Sequence, residues 1–277
     1  MNSELLQTLT VDQYPFDPHY AQGLRTYFSH FLRDLTDAEK KELGGITFCP
    51  LLFGNRSGSN LLTHSLYQAG LGFPEHGEPM NLPSIEKIAT RQNLSSFTDY
   101  FLFLIRRWRK QDISGFKISV GQLFDLSRTG LLDSLKDIKL LHSVRRDRVA
   151  QAVSHYIAKE SGKWSSKEGD ALVSIPYSAE SILRFMRRAA RLQADYDLYK
   201  TIHQIDGLEI VFEDFIANPR QHIAEIAEFL GCTAELDAVD LTSAGTNPQS
   251  NPLNREYARR FRSEMRASGQ DAIEESP

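Results

Sequence analysis

Apolar residues along the chain form short continuous runs that alternate with longer stretches at helical spacing. The short runs predict buried strands over 46–53, 113–120, 138–144 and 208–212. Spacing of three and four residues predicts helices over 59–69, 97–108, 147–160, 178–205, 214–230 and 252–268. Strands that alternate with helices are typical of a parallel sheet covered by helices on both faces. The pattern therefore predicts an α/β fold, whose ligand binds beyond the carboxyl ends of the strands.

The first 43 residues differ from this alternation. A proline-containing loop, Tyr14-Pro15-Phe16-Asp17-Pro18, precedes apolar residues at helical spacing from Leu24 to Leu35, and Gly44-Gly45 ends the helix. We therefore predict a helical N-terminal extension over 1–43, one α/β domain over 44–268 and a flexible tail over 269–277.

Composition narrows the class of protein. The chain has 277 residues and a formal net charge of −4, which excludes a globally basic nucleic-acid binder. Two cysteines, Cys49 and Cys232, build no disulfide framework. A signal peptide and a membrane-spanning run are not recognised, so we expect a cytoplasmic protein without a membrane span. The eight histidines show no HxxxH or HExxH spacing, and we expect no metal. The oligomeric state stays open, with a homodimer as one option.

A loop of small residues joins the first predicted strand to the next predicted helix. It reads Gly54-Asn55-Arg56-Ser57-Gly58-Ser59-Asn60-Leu61. Exposed amide groups and the positive end of a helix dipole form an anion site there, to which Arg56 adds a permanent cation. A Walker A loop has lysine after its second glycine, but Ser59 follows Gly58 here. An ordinary Ser/Gly turn is the alternative interpretation.

A second anion site is predicted where the third strand ends. Arg145 lies at the end of that strand, and Ser154 follows two turns into the next helix. The alternative is an exposed charged helix start that Asp147 caps. Two anion sites on one sheet, without a Walker lysine, indicate a nucleotide with phosphates at both ends of its ribose.

These motifs resemble sulfotransferases that use 3′-phosphoadenosine 5′-phosphosulfate (PAPS), and in particular their bacterial trehalose 2-sulfotransferase branch. The branch pattern RSGSTLL corresponds to residues 56–62, and R-x-D-x-x-x-Q-A-V-S corresponds to residues 145–154. Trp164 matches a tryptophan of that branch, and the Val211-Phe212-Glu213-Asp214-Phe215 run is similar to a stretch found across sulfotransferases. The resemblance covers roughly residues 46–265 and departs from the pattern at Asn60.

The resemblance implies a P-loop-like three-layer fold and a PAPS-dependent sulfotransferase that needs no metal. Its implied donor-binding residues are Arg56, Ser57, Gly58, Ser59, Asn60, Leu61, Arg145 and Ser154. The implied acceptor is a hydroxyl of a carbohydrate or glycolipid. Since sulfuryl transfer needs positive charge at the sulfonate oxygens, Arg56 is also the candidate for that catalytic role.

The general base is expected in the loop after the first α/β helix, within Phe73-Pro-Glu-His-Gly-Glu-Pro-Met80. In the resembling branch a glutamate that follows a proline in this loop is the proposed base. Glu78 corresponds best when one gap is allowed, Glu75 is the second candidate, and His76 is chemically suitable. The alternative is that these are solvated loop charges.

Two other functions stay open. A P-loop kinase-like phosphotransferase would use a similar loop but lacks its lysine after Gly58. A catalytically degenerate nucleotide-binding protein would retain the loop without chemistry.

Overall fold

A parallel β-sheet forms the centre of the computed structural model, which describes residues 18–28, 30–164, 175–243 and 252–274. Its strands are β1 (Thr47–Phe53), β2 (Ile113–Ile118), β3 (Asp137–Ile138), β4 (Leu140–Val144) and β5 (Gly207–Val211). They lie in the order β2-β1-β4-β5, and β3 pairs with β1. Every pairing is parallel. The register places Thr47 opposite Ile113 of β2, and Leu51 opposite Leu141 of β4.

Helices cover the sheet and connect its strands. They are α1 (Pro18–Thr26), α2 (Asp37–Leu43), α3 (Ser59–Gln68), α4 (Leu82–Gln92), α5 (Phe97–Trp108), α6 (Val120–Ser127), α7 (Arg148–Ser161), α8 (Ala179–His203), α9 (Phe212–Ala217), α10 (Pro219–Leu230) and α11 (Pro252–Glu274). Short 3₁₀ turns lie at Leu131–Ser134 and Leu236–Ala238. Within the described parts of the chain, none of these helices has the length and apolar character that crossing a membrane requires.

The two faces of β1 belong to different hydrophobic clusters. Phe48 and Leu52 pack on one side with α5 and α6, whereas Cys49 and Leu51 pack on the other side with α3 and α10. This division follows from the alternation of side chains along a strand. Since both faces are covered, residues of β1 are apolar almost without interruption.

The α/β fold with a central parallel sheet is confirmed, and most predicted elements lie within a few residues of their expected bounds. The predicted N-terminal helix is wrong over its middle: α1 ends at Thr26, α2 begins at Asp37, and the described residues between them are not helical. Tyr20 and Leu24 of α1 join the same core as β1. The predicted helix over 214–230 is also divided, because Pro219 restricts the backbone of Asn218 before it. Helices α4 and α6 were not predicted. Residues 1–17 and 29 of the predicted extension and residues 275–277 of the predicted tail lie outside the described residues.

The topology places the functional loops together. Since all strands are parallel, the loops after β1, β2, β4 and β5 leave the sheet at one edge. The loop with Arg56 follows β1, Lys117 lies near the end of β2, and Arg145 follows β4. This common edge is where α/β sheets bind ligands.

Gly58 is a position where the close approach of a ring requires glycine. Its φ is +92°, and an added Cβ would lie 1.9 Å from the Phe212 ring. Gly162 has φ +69°, and no described atom lies within 4 Å of an added Cβ, so we expect Gly162→Ala to lose about 1–2 kcal/mol of unfolding free energy from backbone strain alone. Gly58→Ala should lose ~1–3 kcal/mol more because the ring must move. Urea denaturation measures both values.

The double variant Gly58→Ala/Phe212→Ala isolates the ring contact. We expect the cost of Gly58→Ala in the Phe212→Ala background to approach that of Gly162→Ala. Equal costs in both backgrounds would show that the ring is not the cause.

Candidate active site

The loop after β1 presents backbone amide groups at the start of α3. Gly58 precedes the helix, and no side chain in the described parts of the chain caps its first turn. Ser57 and Ser59 are buried beneath the loop. The Ser57 N–H closes a turn onto the Gly54 carbonyl oxygen at 3.1 Å. Uncapped N–H groups at a helix start attract anions, so the predicted anion loop has the required backbone form.

Phe212 connects the two predicted anion sites. Its ring fills the space beside Gly58, and the guanidinium carbon of Arg145 lies 4.3 Å from the ring centroid. Phe212 begins α9 directly after β5. Arg146, which follows Arg145 in the chain, instead forms an exposed ion pair with Asp214 at 2.6 Å. The structure therefore distinguishes two neighbouring arginines, one turned towards the Gly58 loop and one turned to solvent.

Arg56 reaches from the first junction to the second. Its Nε donates to Ser154 Oγ at 2.9 Å, and its Nη1 donates to the Trp164 carbonyl oxygen at 2.9 Å. Burial and the nearby Arg145 guanidinium lower the pKa of Arg56, and burial lowers the pKa of Arg145. Two partly buried guanidinium groups that repel one another form a site that a bound anion stabilises.

Two buried donors at this edge fit a bound anion. Ser57 Oγ and Arg145 Nε are buried and have no hydrogen-bond partner among the residues that the structure describes. Buried polar groups in proteins are almost always paired, and unpaired ones mark ligand sites or bound water. The residues present therefore fit a ligand with at least one phosphate or sulfate group.

A buried lysine that sequence reasoning missed lies between the anion loop and the candidate base. Lys117 on β2 is 2 % exposed, and its Nζ donates to Glu78 Oε1 at 2.9 Å. The same Nζ donates to Asn60 Oδ1 and lies 4.5 Å from the Phe53 ring centroid. Asn81 Nδ2 donates to the other Glu78 oxygen at 2.5 Å. Glu78 is thus held by a cation and an amide at the carboxyl edge of the sheet.

Glu78 lines a cavity that the other two base candidates do not line. The cavity has a volume of about 280 Å³. Its lining comprises aromatic, amide, basic and small residues: Phe53, Gly54, Asn55, Glu78, Asn81, Ser119, Gln122, Gln151, Ala152, His155, Phe185, Arg188, Ala189 and Leu192. Glu75 and His76 instead face one another and His64, away from this lining. The structure therefore separates Glu78 from the candidates two and three residues before it.

His155 lines the cavity and, after Lys117, is a second residue that sequence reasoning missed. Asn55 Nδ2 donates to its Nε2 at 3.1 Å, while Gln151 Nε2 donates to the Asn55 carbonyl oxygen at 3.0 Å. Burial and nearby cations, Arg188 first among them, lower the pKa of His155 to about 4. The ring is therefore neutral at pH 7. Its position on α7, one residue after Ser154, is the sequence signal that was available.

Lys117 also left a signal in the sequence. The run Ile113-Ser-Gly-Phe-Lys-Ile118 is otherwise uncharged, and every residue of the strand is buried. Lysine is almost never fully buried unless it is paired. A charged residue in an all-buried parallel strand therefore indicates a partner of opposite charge, although it does not identify Glu78 as that partner.

The pairing predicts a pH-dependent loss of stability in Glu78→Gln. Burial lowers the pKa of Lys117, and the Glu78 carboxylate opposes that shift. Without the Glu78 carboxylate the pKa of Lys117 falls further. Below that lowered pKa the buried, unpaired ammonium destabilises the fold of the variant. Above it the amine is neutral and this destabilisation disappears. We expect a loss of about 1–3 kcal/mol at pH 6 that diminishes by pH 9. Urea denaturation at the two values measures it.

A control variant tests the cause. Lys117→Met/Glu78→Gln removes both charges. The stability that this double variant loses relative to wild type should therefore not become smaller between pH 6 and pH 9. If Glu78→Gln loses equal stability at both pH values, the Glu78 carboxylate does not stabilise the charged form of Lys117.

Comparison with known proteins identifies the family. The family model described as "Stf0 sulphotransferase" matches residues 106–264, which is more than half of the chain and includes Lys117, Arg145 and Ser154. None of the curated proteins that were compared matches the chain.

Two solved structures are similar to the chain. The sulfotransferase domain of the Synechococcus PCC 7002 olefin synthase is 18% identical, with a TM-score of 0.46, over 78% of this chain and 87% of that chain. A sulfotransferase from Alicyclobacillus acidocaldarius is 16% identical, with a TM-score of 0.40, over 84% of this chain and 97% of that one. The family assignment follows from the family-model match: the chain belongs to the Stf0 sulphotransferase family.

Proposed function

We propose that this sulfotransferase transfers a sulfuryl group from PAPS to a hydroxyl of a carbohydrate or glycolipid acceptor and releases 3′-phosphoadenosine 5′-phosphate (PAP). The observation that carries the proposal is the position of Lys117. Its ammonium contacts both Asn60 of the anion loop and the carboxylate of Glu78. A donor anion held by the loop and an acceptor held beside Glu78 would therefore meet at one point.

The donor side is supported by the convergence of cations and buried donors. Arg56 and Ser154 are hydrogen-bonded to one another, and Arg145 lies beside the same loop through Phe212. We assign Arg145 and Ser154 to the 3′-phosphate, and the amide groups of the loop with Ser57 to the 5′-phosphosulfate. Arg56 spans the two sites and supplies positive charge to the donor.

The acceptor side is supported by the chemistry of the cavity. Amide side chains from four different segments line it, namely Asn55, Asn81, Gln122 and Gln151. Each amide offers both donors and an acceptor, as the hydroxyl groups of a sugar require. The rings of Phe53 and Phe185 provide apolar surface in the same cavity. A polyhydroxylated acceptor fits this mixture better than a purely apolar alcohol does.

The transfer itself needs a base and an in-line donor. Glu78 accepts the proton of the acceptor hydroxyl as that oxygen forms a bond to sulfur. The bond between sulfur and the bridging oxygen breaks, and its electron pair stays on the phosphate of PAP. Lys117 orients Glu78 and places a positive charge near the transferring group.

The kinase-like alternative differs in its need for metal. Nucleotide phosphoryl transfer usually requires Mg²⁺, whereas a sulfonate carries less charge. A strict requirement for Mg²⁺ in donor binding would favour a kinase. A degenerate nucleotide-binding protein would have no turnover, so substitution of Arg56 or Glu78 would cause no loss of activity.

A thermal-shift comparison of PAP with ADP tests the proposed donor. A ligand that binds only the native state raises the melting temperature, so PAP should raise it and ADP should do so much less. A larger shift with ADP, or a shift that requires Mg²⁺, would contradict the assignment of PAPS as the donor.

Arg145→Ala should weaken PAP binding by about one to two decades, because a charge-assisted hydrogen bond to phosphate contributes roughly 1.5–3 kcal/mol. Binding of adenosine 5′-phosphosulfate, which lacks the 3′-phosphate, should change little. Isothermal titration calorimetry measures both affinities. Arg146→Ala is the matched control because its guanidinium pairs with Asp214 in solvent. Equal losses for both ligands would place Arg145 elsewhere on the donor.

Glu78→Gln should lower turnover by about two to four decades while the affinity for PAP stays close to wild type. Glutamine keeps the size of the side chain and removes its basicity. Single-turnover transfer of labelled sulfate measures the effect, and Glu86→Gln on the exposed side of α4 is the control. If Glu75→Gln or His155→Asn gives that pattern and Glu78→Gln does not, the base is a different residue.

A further inference from the structure

Three potential metal ligands lie together where α3 meets the loop that carries Glu78. They are His64 on α3, and Glu75 and His76 in the segment that follows that helix. His64 Nδ1 is 3.8 Å from Glu75 Oε1, and His76 Nε2 is 3.5 Å from the same oxygen. The two imidazole rings stack with their centroids 5.5 Å apart. The three ligand atoms all lie within 4.8 Å of one another.

Neighbouring hydrogen bonds determine which nitrogen of His64 carries the proton. Ser243 Oγ donates its single proton to the Asp240 carbonyl oxygen at 2.9 Å and accepts from Gln68 Nε2 at 2.8 Å. It therefore has no proton left for His64, whose Nε2 lies 3.1 Å away and must donate to it. The lone pair of a neutral His64 is then on Nδ1, the nitrogen on the side of Glu75.

This arrangement is the one that metal-binding histidines adopt. A histidine ligand typically donates its second ring N–H to a protein acceptor, which fixes the tautomer and aims the other nitrogen at the metal. Here Ser243 is that acceptor, and His64 is buried with a relative exposure of 5%. A nitrogen lone pair and a carboxylate oxygen that face one another are both negative, and a cation between them stabilises the pair.

The spacing of the ligand atoms fits zinc. Two ligands at the usual bond length of about 2.0–2.1 Å in tetrahedral geometry lie roughly 3.3–3.4 Å apart. The distances from Glu75 Oε1 to the two imidazole nitrogens exceed this value by a few tenths of an ångström. Glu75 and His76 are exposed, so rotation of their side chains can close the remaining gap.

We propose that His64, Glu75 and His76 bind a divalent transition-metal ion of the zinc type, with water as a fourth ligand. The sequence lacked this signal because the ligands follow none of the familiar short spacings. The site is separate from the residues of the proposed sulfuryl transfer, and it does not depend on that function.

The metal would fasten the exposed part of the loop that carries Glu78. Residues after Glu78 are already held, since Tyr100 donates to the Pro79 carbonyl oxygen and Tyr20 donates to that of Met80. Phe73 and Pro74 before it are buried. Only the segment between them, Glu75 to Gly77, is exposed, and it contains two of the three ligands. The ion joins that segment to α3.

Metal binding is measured directly on the full chain, stripped with a chelator and then exchanged into metal-free buffer. Titration with Zn²⁺ by calorimetry should give one ion per chain, and Co²⁺ should give the strong visible absorption of a four-coordinate site. Loss of a supporting residue around a metal costs about 10–100-fold in affinity, so loss of a ligand in His76→Ala or Glu75→Gln should cost at least that much. Both residues are exposed, and their variants should fold.

The control is a second pair of histidine and glutamate on the surface. His222 Nδ1 lies 2.9 Å from Glu225 Oε2 on α10. His222→Ala should leave zinc affinity unchanged. Wild-type protein that binds no zinc would overturn the proposal and favour a protonated His64 beside Glu75. Zinc affinity that falls in His222→Ala but not in His76→Ala or Glu75→Gln would also overturn it.

Discussion

The arrangement of the site depends on the pairing of the buried Lys117 ammonium with Glu78 and Asn60. Lys117 is 2% exposed in the fully buried strand β2, and its ammonium requires a negative charge and hydrogen-bond acceptors, because an unpaired charge there would destabilise the fold. The partners come from the two segments to which we assign the donor and acceptor sides, Asn60 from the first predicted anion loop and Glu78 from the loop after α3. The requirement to compensate one charge therefore brings the proposed donor and acceptor sides together.

A second constraint acts on the opposite side of the anion loop. The ring of Phe212 occupies the volume that a side chain at Gly58 would need, and its face carries the Arg145 guanidinium. One aromatic residue at the end of β5 thus fixes the backbone of the first junction and the cation of the second. This contact gives a physical reason for the phenylalanine in the Val211–Phe215 run that resembles other sulfotransferases.

The loop between α3 and α4 combines firm ends with an exposed middle. Tyrosine hydroxyls hold its second half, buried apolar residues hold its first half, and Glu78 lies where the loop enters the cavity. Two of the three proposed metal ligands, Glu75 and His76, lie in the exposed part. An ion at this position would influence the site by restricting the loop, without contact with either substrate.

The sequence by itself determined the parallel α/β architecture, because the burial of every strand on both faces produces apolar runs that are visible without a structure. It also located the two strand–helix junctions as candidate anion sites, because glycine and arginine directly after a strand are recognisable from neighbouring residues alone. Only the tertiary structure decided which charges meet. Lys117 and Glu78 are separated by 39 residues, and Arg56 and Ser154 by 98 residues. Local spacing carries no information about such contacts, since they depend on which strands are neighbours. The choice of Glu78 over Glu75 was also tertiary, because three residues of loop suffice to turn one carboxylate into the cavity and the other towards His64.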